Sequence, residues 1–221
     1  MDKIDNIFVK SLYDSEETGI KVLKGNINSI KLKAINDYVA TKHESFEVKR
    51  EKYIANNQLV SLLYRGPFDT SELDDTVFGE ILKYYKRIRE DIEKYSEIPF
   101  EQGTSIEVKL IHYPISELGV GIHKDLSSNI NVVIFFNLEG STILNTYADK
   151  QGNGPIGHDL DTGDISIMRA PRNKQEPDIR PYHGVEKVNI PRTVLVVREI
   201  DEELEKETNK DNWRGFWSQR W

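Results

Sequence analysis

From residue 104 the chain divides into short β-forming stretches, each bounded by Gly, Asn, Asp or Pro, and this punctuation constrains the fold more than any other feature. "SIEVKLIHY", "INVVIFFNL", "STILNTYA", "GDISIMR", "PYHGVEKV" and "RTVLVVREI" each read as a strand, and Gly163-Asp164 marks a turn directly before one of them. Inside the second stretch the apolar residues run on without polar alternation, as they do in a buried strand. Many short strands joined by turns and closed by a helix on one face predict a mainly β (α+β) fold of jelly-roll or barrel type.

The helical signal lies in the first hundred residues. Between 71 and 96, Val77, Ile81, Tyr85, Ile88, Ile92 and Tyr95 fall on one stripe, and Ser71 with Asp74 has the form of a capping box. Residues 29 to 43 carry Ile35, Tyr38 and Val39 at helical spacing. Both segments are expected to pack on one sheet. The predicted organisation is a single domain: an N-terminal α/β extension over 1–103, a β core over 104–200, and a charged segment with an aromatic tail over 201–221. Trp213, Trp217 and Trp221 all lie in that tail, which is expected to dock, because three exposed tryptophans would form a patch that soluble monomers avoid.

Composition narrows the function. A chain of 221 residues with no cysteine has no disulfide framework, no thiol nucleophile and no cysteine-based zinc site. A formal charge of -7 disfavours broad binding to phosphate backbones and turns attention to small molecules or protein partners. No apolar run reaches the roughly 18 residues that a membrane span needs, and a cytoplasmic location is the expectation.

Any metal site must therefore be built from few parts, since the chain has five histidines. His123 and Asp125 are two apart at the mouth of a strand, so they share a face about 6.6 Å apart along the chain, while Lys124 points away. A third ligand is sought among His43, His112, His158 and His183. His43 lies in the helical region. His112 alternates with Ile106, Val108 and Leu110 and reads as a core-side histidine, and His158 sits among turn residues and reads as a loop histidine. His183 is the best placed, on a strand that turns at Asn189 to Pro191 into the last one. Two imidazoles and a carboxylate on one face of a metal leave coordination positions open, the arrangement of non-haem Fe(II) oxygenases.

The set His123-x-Asp125, His183 and, nine positions on, Arg192 resembles the Fe(II)/2-oxoglutarate-dependent dioxygenase superfamily over roughly residues 104–200. The resemblance implies a double-stranded β-helix (jelly-roll, cupin-like) core, with iron on His123, Asp125 and His183. It also implies 2-oxoglutarate and O2 as co-substrates, converted to CO2 and succinate. An arginine opening a strand suits a carboxylate in a two-pronged grip, so Arg192 is the expected anchor for 2-oxoglutarate, with Arg198, of the same strand parity, as the fallback. By resemblance Tyr113 hydrogen-bonds the same co-substrate. The sequence departs from the family at Val194, where a small hydroxyl residue is common. Asp125 favours hydroxylation or desaturation over halogenation, because the related halogenases lack this carboxylate.

The resulting expectation is a hydroxylase of a small, amino-acid-like substrate. A protein-residue hydroxylase of the prolyl type is the nearest rival. A nucleic-acid demethylase of the alkylation-repair type is disfavoured by charge. A non-catalytic, cupin-like module binding a metal or ligand is the alternative from another class. In the loop 169–182, Arg169, Arg172 and Arg180 are candidates to meet a substrate carboxylate or phosphate, or are ordinary surface charge.

Overall fold

The computed structural model of the protein describes residues 4–14, 17–27, 32–37, 48–55, 58–67, 77–113, 115, 119–185, 187–204 and 206. Helix α1 (Asn6–Tyr13) is followed by β1 (Ile20–Leu23), β2 (Val48–Ala55), β3 (Gln58–Pro67) and helix α2 (Val77–Tyr95). Then come β4 (Ser105–Tyr113), β5 (Val120–His123), β6 (Asn129–Glu139) and β7 (Thr142–Tyr147). The last four strands are β8 (Ile156–Leu160), β9 (Ile165–Arg169), β10 (Tyr182–Val185) and β11 (Arg192–Ile200). They form two antiparallel sheets, a seven-stranded one in the order β1-β9-β6-β11-β4-β3-β2 and a four-stranded one in the order β5-β10-β7-β8.

Strands β6 and β11 sit side by side in the middle of the larger sheet and are buried on both faces. Alternation divides their side chains between two cores. Val132, Ile134, Phe136, Leu138, Leu195 and Val197 join a core with Ile81, Tyr85, Ile88 and Ile92 of α2. Val133, Val194 and Val196 face the other way and pack with Leu144, Leu160 and Val185 of the smaller sheet. The sheets thus form a two-layer sandwich with the helices on the outer face of the larger one.

A buried polar node fastens α2 to β11. Glu199 accepts hydrogen bonds from the Tyr85 hydroxyl (2.9 Å), Arg89 Nε (2.8 Å) and the Thr104 hydroxyl (2.8 Å), and also from the Asn131 amide. Four donors satisfy a carboxylate that would otherwise be costly to bury. Asp5 caps α1 by accepting from the Phe8 amide at 3.0 Å.

The expected helix over 71–96 is α2, from Val77 to Tyr95; Ser71 and Asp74 lie outside the described residues. Of the segment 29–43, residues 32–37 are helical with Ile35 buried, while Tyr38, Val39 and His43 lie outside the described residues, as do the three tail tryptophans. Strands β1, β2 and β3 extend the larger sheet at its two edges. One segment read as loop is a strand: β8 carries His158, half-buried, with its Nε2 3.2 Å from the Thr146 hydroxyl. "IGHDL" has little apolar alternation because β8 is an edge strand that packs mainly through Leu160.

Candidate metal centre and co-substrate pocket

His123 ends β5, Asp125 follows just beyond it, and His183 is the second residue of β10. Asp125 is therefore not on the strand as the i, i+2 reading required; it lies in the irregular segment after β5, and its carboxylate still stands beside the histidines. Antiparallel pairing places His123 directly opposite His183, and their rings stand 4.4 Å apart, centroid to centroid. One ligand atom from each of His123, Asp125 and His183 lies within 4.8 Å of the other two.

The details of this cluster suit a cation. His123 Nδ1 is 2.8 Å from the Gly121 carbonyl and His183 Nδ1 is 3.2 Å from the Pro181 carbonyl. A carbonyl only accepts, so each Nδ1 carries the proton and each Nε2 keeps its lone pair. Asp125 Oδ2 is buried without a hydrogen-bond partner, the state in which a carboxylate oxygen needs a counter-ion. Burial alone would raise the Asp125 pKa, but His183, Arg198, His123 and Arg180 hold it below the usual carboxylate range. Burial, helped by His123, pushes His183 down to about 4, so it is neutral and ligand-competent at neutral pH.

A cavity of about 110 Å³ opens from this cluster along the ladder between β11 and β4. The rungs that face it are Arg192 opposite Tyr113, Val194 opposite Ile111, and Val196 opposite Lys109; Arg198, opposite Glu107, closes the row. The even spacing puts Arg192 and Arg198 on the same face about 20 Å apart along the strand, with an apolar middle. At one end Arg192 is buried, its guanidinium lies 5.7 Å from the Tyr113 ring centroid, and its Nε donates to Asn137 Oδ1 at 2.8 Å. Among the described residues no carboxylate pairs with it. Burial lowers the Arg192 pKa to about 10 against the opposing influence of Tyr113, so it stays cationic at neutral pH.

Asn137 holds that arginine in place because its amide nitrogen donates to the Gly140 carbonyl at 2.8 Å. Gly140 itself has φ 80°, and a Cβ there would lie 2.3 Å from the Pro191 carbonyl oxygen, so only glycine lets this turn pass beneath the start of β11. Thr193 points to the opposite face, where it donates to Glu139 at 3.0 Å and meets His112 Nδ1 at 3.0 Å. His112 therefore stands on the helix side of the sheet, as its alternation predicted.

Arg198, the fallback anchor, lies at the other end of the row. Its Nη1 is 4.0 Å from Asp125 Oδ1 and its Nε bonds Glu107, which also pairs with Lys109 at 2.6 Å. The loop arginines are engaged within the protein. Arg169 donates to the carbonyls of Ile179 (2.7 Å) and Asp14, and Arg172 donates to Glu176 (3.1 Å) and Ser96 (3.2 Å). Arg180 donates to Asp178 (2.7 Å) and to the Leu126 carbonyl. A larger, shallower groove of about 530 Å³ runs past Glu17, Ile156 and Tyr182, but it is the smaller cavity that holds the ligand cluster.

No protein-family model matches the chain, and no curated protein matches it. Solved structures do resemble it. A Pseudomonas putida prolyl-4-hydroxylase is 14% identical and superposes with a TM-score of 0.60 over 87% of this chain and 97% of its own. A Trichoplax adhaerens prolyl hydroxylase, in complex with a hypoxia inducible factor peptide fragment, is 15% identical, with a TM-score of 0.59 over 92% and 93%. SnoN, a non-heme α-ketoglutarate-dependent epimerase from nogalamycin biosynthesis, is 11% identical, with a TM-score of 0.58 over 89% and 84%. The likeness is one of fold: this chain shares the double-stranded β-helix of these proteins, as the resemblance implied.

Proposed function

We propose that the protein is an Fe(II)- and 2-oxoglutarate-dependent oxygenase that hydroxylates a small, amino-acid-like substrate and releases succinate and CO2. One observation carries this reading: two Nε2 lone pairs and a partnerless carboxylate oxygen converge in a cavity that also contains a buried arginine without a carboxylate partner among the described residues. A buried cation of that kind favours an anionic guest. Iron on His123, Asp125 and His183 would supply the oxygen-activating chemistry.

The chain's own residues then bind and orient. Arg192 grips the far carboxylate of 2-oxoglutarate, Asn137 fixes the guanidinium plane, and Tyr113 offers its hydroxyl, which burial keeps protonated. Val194, Val196 and Ile111 line the wall between the anchor and the metal and keep water away from it. At the opposite end, Arg198 bonds Glu107 and stands 4.0 Å from Asp125 Oδ1, and Lys109 pairs with Glu107.

Hydroxylation of a prolyl residue in a protein is the second reading, favoured by the nine-residue spacing from His183 to Arg192 and by the fold shared with two prolyl hydroxylases. The test is iron-dependent conversion of 2-oxoglutarate to succinate, with free amino acids and a proline-containing peptide supplied in parallel. Turnover that is stimulated by one class and lost in His123→Ala supports an oxygenase and selects between the readings. Binding of metal without any turnover would leave a cupin-like binding module.

A further inference from the structure

We infer that Asp178 and Arg180 are positioning residues, a clasp that holds the two halves of the metal triad in register before metal arrives. The inference rests on the metal-site reading above. The triad comes from two chain segments, 123–125 and 183, and Asp125 stands past the end of β5, where the sheet's hydrogen bonds no longer hold it.

Both residues flanking Asp125 are tied to the segment that leads into His183. Lys124 Nζ lies 3.1 Å from Asp178 Oδ2, and 4.9 Å from the Tyr182 ring centroid. The other oxygen of the same carboxylate, Asp178 Oδ1, accepts from Arg180 Nε at 2.7 Å and from the Arg180 backbone amide at 3.2 Å. Arg180 is itself buried and donates onward to the carbonyl of Leu126. One carboxylate thus reaches residue 124 directly and residue 126 through the arginine, and Asp125 is bracketed from both sides. The next residue, Pro181, supplies the carbonyl that fixes the His183 ring.

The physical need for such a clasp follows from Asp125 Oδ2, which has no protein partner. Such an oxygen gains by turning toward water, and a free turn would let it do so. The exposed Lys124 to Asp178 pair contributes little on its own. The buried Arg180, which touches both segments, is the rigid part. Support of this kind around metal ligands typically changes metal affinity by about 10- to 100-fold.

The test is titration of the metal-free, full-length protein with Co(II) alone, followed by its visible absorption. Asp178→Ala, which removes both arms at a half-exposed position, is expected to weaken Co(II) by about tenfold and alter the band shape, with the thermal midpoint of the metal-free protein unchanged. Arg180→Lys keeps the charge but loses the two-ended reach and is expected to weaken Co(II) as well. Lys174→Met is the control, since it breaks ion pairs to Asp201 and Glu203 (both 2.9 Å) away from the triad, and it should bind as the native protein does. The clasp is refuted if Asp178→Ala and Arg180→Lys both bind within twofold of the native protein, or if Lys174→Met weakens binding equally. If the native protein itself takes up no Co(II), the metal site falls and the clasp with it.

Discussion

Arg192→Met separates co-substrate binding from metal binding and from stability, and the structure allows each to be estimated. Arg192 is no metal candidate, so the Fe(II) affinity should stay within about threefold of native. For 2-oxoglutarate the change deletes a charge-assisted contact of roughly 1.5–3 kcal/mol, which corresponds to a dissociation constant about 10- to 150-fold higher. Two effects on stability oppose each other. Asn137 Oδ1 loses its 2.8 Å donor, which costs about 1–3 kcal/mol in a buried site. Against this, burial lowers the guanidinium pKa to about 10, a penalty on its charge of roughly 3 kcal/mol, which methionine relieves. The fold should therefore survive with little net change. Anaerobic titration of the iron-loaded variant with 2-oxoglutarate measures the first quantity, and thermal unfolding of the metal-free variant measures the last. An unchanged 2-oxoglutarate affinity would refute the assignment and move the anchor to Arg198.

Two further outcomes follow from the same geometry. The metal-free protein should lose stability as pH falls from about 6.5 to about 4. In that window the unfolded chain holds a proton on residue 183 and the folded one, where burial lowers His183, does not. The full effect is about 3 kcal/mol at 1.36 kcal/mol per pKa unit, read by urea unfolding at both pH values, and His183→Gln should flatten the slope. Asp125, held below its ordinary value, would add its own loss only at lower pH. Glu199→Ala should strip Tyr85, Arg89, Thr104 and Asn131 of their common acceptor and cost about 3–5 kcal/mol. That is a fall of roughly 10 °C in Tm, with Co(II) affinity unchanged because Glu199 faces the helix layer; calorimetry and metal titration check the two halves.

How much of this was legible in the sequence depends on the reach of each interaction. Strands β6, β9 and β11 carry their own evidence in runs such as "NVVIFF" and "TVLVV", because central strands buried on both faces leave no doubt about period or sign. The edge strand β8 left no such trace, since solvent accepts "IGHD" on its outer side. His123, Asp125, His183 and Arg192 were singled out by their resemblance to the pattern of a known superfamily; the structure brings the first three together and lines one cavity with all four. Asn137 was missed, although an amide inside "IFFNL" is a signal in itself: a polar residue in a doubly buried strand must have a partner. The links from Asp178 and Arg180 to residues 124 and 126 span 54 positions, and nothing local announces them. The loop arginines looked available for a substrate because partners such as the Asp14 and Leu126 carbonyls are distant in the chain.

The most direct test of an iron and 2-oxoglutarate site is an anaerobic titration of the purified protein with Fe(II) and 2-oxoglutarate, watching for the visible metal-to-ligand charge-transfer band of the chelate. Convergence of His123, Asp125 and His183 in the cavity that Arg192 also lines predicts that the band appears only when both are present and is absent in His183→Ala. A native protein that gives no band with saturating iron and 2-oxoglutarate, or a band that survives in His183→Ala, would contradict it.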